Sequence, residues 1–127
     1  VVMWAGDSRL YRLRKESIEL LTRDHNQIAD LYERGGISEQ EMLEADTNVI
    51  TRAVGGQVNL HLDVAAFNIE ADDTLLLCSD GLYREIDAVT MASALCLPVE
   101  QAVSTLMSRC LAGTARDNVS VVVTRAA

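Results

Sequence analysis

The chain opens on an apolar run, Val1-Val2-Met3-Trp4-Ala5, which reads as a strand that needs a partner on each side. Gly6-Asp7-Ser8 signals a turn, and Arg9-Leu10-Tyr11-Arg12-Leu13-Arg14 then alternates polar and apolar as a half-buried strand does. These two segments are expected to pair as a hairpin with Asp7 at its tip, and a third short strand over 18–22 extends them into a meander. From 24 to 46 the period becomes helical. Ile28, Leu31 and Tyr32 share a face, Gly35-Gly36 ends the segment, and Ser38-Glu39-Gln40-Glu41 forms a capping box ahead of Met42 and Leu43. Two short, acidic, weakly apolar helices bury little, so this stretch is expected to lie over the sheet as a flap. A further helical turn is expected over 48–53.

Alternation resumes over 58–69, and residues 74–79 form a continuous apolar run expected to be buried on both faces. That run stops at Asp80-Gly81. Two helices follow, near 87–95 and from Pro98, the second carrying an apolar stripe through Val99, Ala102, Val103, Leu106, Met107 and Cys110. The last strand runs over 119–124, reached through Arg116-Asp117-Asn118. Sheet, flap, sheet, helix pair, sheet describes a layered α+β fold with helices on one face.

Composition narrows the function. At 127 residues with 49% hydrophobic and 24% charged positions, the chain is one domain or a piece of one and is not a disordered tail. Eleven basic against nineteen acidic residues give −8, with Lys15 the single lysine, so nucleic acid is not expected as a partner. No run approaches the ~18 apolar residues of a membrane span. Cys78, Cys96 and Cys110 form no CxxC pair and read as buried thiols of a reducing, cytoplasmic compartment. The chain begins at Val1, without an initiator Met and directly in a strand-like run, so an N-terminal portion is expected to be missing.

Three aspartates occupy one kind of place: Asp7 at a turn, Asp80 just past an apolar strand and Asp117 just before the final one. If those strands are neighbours, the carboxylates converge at one end of the sheet. Carboxylates brought together repel unless cations sit between them. Oxygen ligands suit Mg²⁺ or Mn²⁺, and a pair of such ions about 3.5–4 Å apart supports hydrolysis of a phosphate ester. Each Asp alone is an ordinary turn residue. Arg52 reads equally as a phosphate ligand or as half of an internal salt bridge, and His25, beside Asp24, as a hydrogen-bonded structural turn. Ser8 and Ser79 lack the surroundings of a nucleophile.

Five ordered segments carry a resemblance: Gly6-Asp7-Ser8-Arg9, Leu21-Thr22-Arg23-Asp24-His25, Ile50-Thr51-Arg52-Ala53-Val54-Gly55, Leu76-Leu77-Cys78-Ser79-Asp80-Gly81-Leu82 and Arg116-Asp117-Asn118-Val119-Ser120. In order and spacing the chain resembles the C-terminal half of bacterial metal-dependent protein serine/threonine phosphatases of the protein phosphatase 2C type. The resemblance implies part of a four-layer αββα sandwich, antiparallel sheets flanked by helices, with a flap subdomain at about 26–47. It implies Mn²⁺ or Mg²⁺, two catalytic ions and a weaker third. Asp80 and Asp117 look like ligands of the catalytic pair, Asp7 like the third-ion ligand, and the backbone of Asn48 like a further one. Phosphorylated proteins are the implied substrates.

Two departures stand out. The family's Asp-Gly-x-Gly segment, with its bridging carboxylate, is absent from these 127 residues, and Arg84 stands where many members carry an Asp beside the third ion. The chain alone is therefore expected to be inactive or nearly so, and to hold metal poorly. The alternative is a non-catalytic pseudophosphatase or interaction module that self-associates through exposed strands.

Overall fold

The computed structural model describes residues 1–45, 49–114 and 116–127. These fall into two compact units, one made of Val1–Asp7 and Arg23–Phe67, the other of Ser8–Thr22 and Asn68–Ala127.

The second unit holds most of the core. Strands β2 (Arg9–Arg14), β3 (Ser17–Leu20), β5 (Thr74–Cys78) and β6 (Val121–Arg125) form an antiparallel sheet in the order β3-β2-β5-β6. Alternation decides which side is buried: Tyr11, Leu13, Leu76 and Cys78 point to one face. There they meet Leu82 and Ile86, then Met91, Ala94 and Leu95 of α4 (Ala88–Leu95), and Leu106 and Cys110 of α5 (Val99–Ala112). The stripe expected on the Pro98 helix is this contact. Asp87 caps α4, accepting the Thr90 N–H at 2.7 Å. At the sheet end away from α3 (Asp80–Tyr83), Arg14 grips the buried Asp73 through two hydrogen bonds of 2.7 and 2.6 Å and bonds Glu70 at 2.7 Å. That fork holds the Asp73 carboxyl far below the usual carboxylate range.

The first unit is lighter. Strands β1 (Val2–Trp4) and β4 (Asp63–Ala65) make a two-stranded antiparallel sheet. Helices α1 (Gln27–Glu33) and α2 (Glu39–Glu44) bury no residue. Asn26 caps α1 through Ala29 N–H, and the capping box of Ser38 and Glu41 on α2 forms as expected.

Five expectations are corrected. Cys96, expected among the buried thiols, is exposed at the C-terminal cap of α4, whereas Cys78 and Cys110 are buried. The run at 1–5 does not pair with β2: Val2, Met3 and Trp4 lie opposite Ala65, Val64 and Asp63, so Asp7 is not a hairpin tip. Local pattern shows that a strand needs a partner but not which one. The long strand over 58–69 contracts to the three residues that β1 can pair, leaving Leu60 and Leu62 exposed. Among the described residues of 48–53 there is no helix; Ile50 bridges Asn26, and Thr51 N–H donates to His25 O at 2.8 Å. In β5 only alternate residues are buried, with Leu77 45% exposed, because a run of apolar residues does not reveal how many faces are covered. The four-residue helix α3, starting at Asp80 itself, was not foreseen.

Candidate functional site

In the second unit, β5 ends at Cys78 opposite the first residue of β6, Val121, so the segments that leave and enter these strands share one rim. Ser79 stitches them together. Its N–H donates to Ser120 O at 3.1 Å, and its Oγ accepts Ser120 N–H at 2.9 Å and donates to Asn118 O at 3.4 Å. Gly81 closes the gap further: a Cβ placed there would lie 2.3 Å from Asn118 O, so only glycine permits this approach. Cys110, fully buried on α5, donates its thiol to Gly81 O at 3.2 Å, and burial pushes that thiol's pKa up. Asp80 and Asp117 are thereby carried on two segments locked side by side.

Their surroundings differ. Asp80 opens α3, at the favourable end of that short helix for a negative charge, and its Oδ2 lies 3.4 Å from Arg84 Nε. Asp117 is exposed and accepts the N–H of its neighbour Asn118 at 2.7 Å. Arg9, at the start of β2, lays its guanidinium 3.7 Å from the centre of the Tyr83 ring.

Asp7 belongs to the first unit, so two of the three expected carboxylates share a unit and the third does not. It follows Gly6, which His25 holds from two directions: His25 N–H donates to Gly6 O at 2.9 Å, and Gly6 N–H donates to His25 Nδ1 at 3.0 Å. Accepting at Nδ1 puts the ring proton on Nε2, which faces Asp63 Oδ2 at 3.0 Å. The ring is fully buried and stacks on Trp4, with centroids 6.1 Å apart. Trp4 in turn donates its indole N–H to Arg23 O at 2.7 Å.

Arg52 Nη1 bonds Asp63 Oδ1 at 2.6 Å, which is the internal salt bridge that the sequence left open beside phosphate binding. Between His25 and Arg52, the Asp63 carboxyl is held down to about 2. Nothing in the sequence marks Asp63, which sits where an alternating strand would place any outward polar residue. Asn48 lies outside the described residues.

Among the described residues no group of three or more His, Cys, Asp or Glu side chains is gathered closely enough to hold a metal ion, and no helix is long and apolar enough to cross a membrane.

No family model matches the chain. Individual proteins do. The serine/threonine phosphatase Stp of Listeria welshimeri is 34% identical over 96 residues, which is 75% of this chain and 38% of that protein. Among solved structures, the PPM Ser-Thr phosphatase MsPP from Mycobacterium smegmatis, in complex with cacodylate, matches with a TM-score of 0.84 at 33% identity, covering 97% of this chain and 54% of that one. The catalytic domain of the serine/threonine phosphatase PstP, in complex with two manganese ions, matches with a TM-score of 0.73 at 32% identity, covering 94% of this chain and 50% of that one. The chain thus spans about half the length of the solved structures it matches. Together with antiparallel sheets flanked by helices, these similarities show that the chain belongs to the bacterial protein phosphatase 2C-type serine/threonine phosphatase family.

Proposed function

We propose that the protein carrying this chain hydrolyses phosphoserine and phosphothreonine in other proteins, in the cytoplasm, with Mn²⁺ or Mg²⁺. The observation that supports it best is the close juxtaposition of the Asp80 and Asp117 segments through Ser79, Gly81 and Asn118 in a chain of this family. Two carboxylates are hard oxygen donors suited to these ions, and they fit part of such a site. Asp80 and Asp117 would be ligands of the catalytic pair, with Asp7 and the backbone of Asn48 serving a third ion. Divalent ions bound there would supply an activated water and stabilise in-line displacement at phosphorus. The relatives solved with manganese and with cacodylate, a tetrahedral oxyanion, favour the same reading.

The role of this chain's own residues is placement. Ser79 and Gly81 fix the spacing of the two aspartates. Arg84 draws on one oxygen of Asp80, which weakens a third-ion site on that side. The region of α1 and α2 would act as the flap bordering the substrate, and Arg52 as a substrate contact subordinate to its bond with Asp63.

With two carboxylates on one rim and no Asp-Gly-x-Gly segment, the chain by itself is expected to be inactive. The test compares the 127-residue chain with the longest protein that contains it, using p-nitrophenyl phosphate and a phosphothreonine peptide with and without Mn²⁺. Metal-dependent turnover by the longer protein, abolished by Asp80→Ala or Asp117→Ala, is expected. Full turnover by either variant would refute the assignment.

A second reading, a self-associating interaction module, is favoured by Met3 and Val64, cross-strand partners on β1 and β4 that are both exposed. A monomer at all concentrations in size-exclusion chromatography with light scattering would remove it.

A further inference from the structure

The connection from α5 to β6 carries Asp117, and its residues Gly113, Thr114, Arg116, Asp117 and Asn118 are all exposed. Little burial fixes such a segment, so its order has to come from hydrogen bonds. The end that enters β6 is held at Asn118 and Ser120 by Ser79. The end that leaves α5 is held by Glu85, whose Oε1 accepts the Thr114 hydroxyl at 2.6 Å and whose Oε2 accepts the Thr114 N–H at 3.2 Å. Gly113 makes room for this carboxylate, since a Cβ placed there would lie 2.8 Å from Glu85 Oε2.

Glu85 is itself firmly placed. It follows the C-cap of α3, its N–H donates to Leu82 O at 3.1 Å, and both Leu82 and the next residue, Ile86, are buried in the core. Hydrogen bonds to an ionised carboxylate are stronger than neutral ones, and the Thr114 hydroxyl, then its N–H, holds the Glu85 carboxyl below the usual carboxylate range. The stretch from Ser79 to Glu85 therefore grips the connection on both sides of Asp117, at Asn118 through Ser79 and Gly81 and at Thr114 through Glu85. Asp80 rides on that same stretch, so its spacing from Asp117 is fixed at two points rather than one.

From this two-point grip we infer that Glu85 is a positioning residue for Asp117: by holding Thr114, three positions earlier, it keeps the connection in the conformation that presents the aspartate to a metal ion. The inference rests on the phosphatase reading, in which Asp117 is a ligand. A connection tethered at one end only occupies the competent conformation for a fraction of the time. Its apparent Kd for metal then rises as the inverse of that fraction, while the fully metallated state is unchanged. A tie that merely secured the end of α5 would instead lower Tm and leave metal affinity alone.

The experiment titrates the longer protein with Mn²⁺ in a calorimeter, below the unfolding midpoint of every variant, and measures kcat on p-nitrophenyl phosphate at saturating Mn²⁺. Glu85→Ala should raise the Mn²⁺ Kd about tenfold, and Thr114→Val, which keeps the N–H bond, about threefold or more, with kcat at saturation staying within about twofold of wild type. Thr114→Ser retains the hydroxyl and should bind as wild type does. So should Glu100→Gln, which removes an exposed acid at the other end of α5. Thr114 is exposed, so its variants are expected to fold even if Glu85→Ala does not. A Kd within about twofold of wild type in the folded Glu85→Ala and Thr114→Val variants, or a loss in Thr114→Ser equal to that in Thr114→Val, overturns the assignment. Asp117→Ala separates the two readings: if it abolishes turnover while the Glu85 and Thr114 variants bind normally, this inference alone fails, whereas full turnover by Asp117→Ala removes the phosphatase assignment and this inference with it.

Discussion

Replacing Gly81 by alanine sets two effects of opposite sign against each other. Gly81 is the second residue of α3, and in a helix alanine is favoured over glycine by about 0.8–1 kcal/mol. Against this, the added Cβ would lie 2.3 Å from Asn118 O, 3.1 Å from Asn118 C and 3.3 Å from Val119 Cγ2. The first contact is roughly 1 Å short of an ordinary carbon contact. The opposing atom is backbone, so no side chain can swing away. Relief must come from parting the α3 start from the 118–120 segment, which strains the two Ser79–Ser120 bonds of 3.1 and 2.9 Å. Overpacking of this kind costs about 1–3 kcal/mol, and each weakened bond adds up to about 1 kcal/mol, so the clash outweighs the helix gain. A net loss of about 1–3 kcal/mol is expected, and each kcal/mol lowers Tm by roughly 3–6 °C at this size. The assay is thermal unfolding of wild type and Gly81→Ala by circular dichroism, with activity measured in the longer protein. There, parting Asp80 from Asp117 by about 1 Å should cost on the order of 10²-fold in kcat. A variant with equal or higher Tm would show that helix propensity wins, and the close approach that holds the two aspartates together would be wrong.

Further outcomes are expected. Leu106→Ala removes a fully buried side chain from the α5 face and should cost about 2–5 kcal/mol, read from urea unfolding. Asp73→Asn or Arg14→Lys breaks the two-bond fork at the far end of the sheet and should lower the urea midpoint, whereas Glu19→Gln, which removes only the exposed partner of Arg12, should change it little. Asp63 has its pKa depressed to about 2, so its contribution is present above the ordinary carboxylate pKa near 3.9 and lost as pH falls toward 2. Acid titration of stability should therefore steepen over that window, and Asp63→Asn should flatten it. His25→Ala removes the acceptor for Gly6 N–H and the donor to Asp63, and should shift the amide resonances of residues 6 and 7.

Elements whose cause is local were legible. The capping box of Ser38 and Glu41, the stripe on α5 and the alternation of β2 each depend on residues within a few positions of one another, and each formed. What failed depended on partners far along the chain. Val1 to Ala5 announces a strand, yet its pairing with Asp63–Ala65 is decided some sixty positions away. The same pairing explains why the alternation of Leu60, Leu62 and Val64 produced three residues of strand rather than twelve: a strand extends as far as it has hydrogen-bond partners.

The site divides along the same line. Asp80 and Asp117 stand out because each adjoins a turn signal at the end of an apolar run, and a turn at a strand end is a local property. Their closeness is not. It rests on a hydroxyl at Ser79 that reads as an ordinary strand-end residue, and on the absence of a side chain at Gly81. Asp63 is the harder case, since only folding brings it to both His25 and Arg52. The two units therefore handle their acidic residues in opposite ways. Asp63 is satisfied by an arginine and a histidine, which leaves little charge for a cation. Asp117, exposed and bonded to its own neighbour's N–H, and Asp80, 3.4 Å from one arginine nitrogen, keep oxygen lone pairs to spare. A charge that the protein has already neutralised is structural, and one held in place but incompletely matched is the kind that the proposed metal site would use. On that criterion, Arg84→Ala in the longer protein should raise Mn²⁺ affinity at the Asp80 side in a calorimetric titration, and unchanged affinity would show that Arg84 does not compete for that carboxylate.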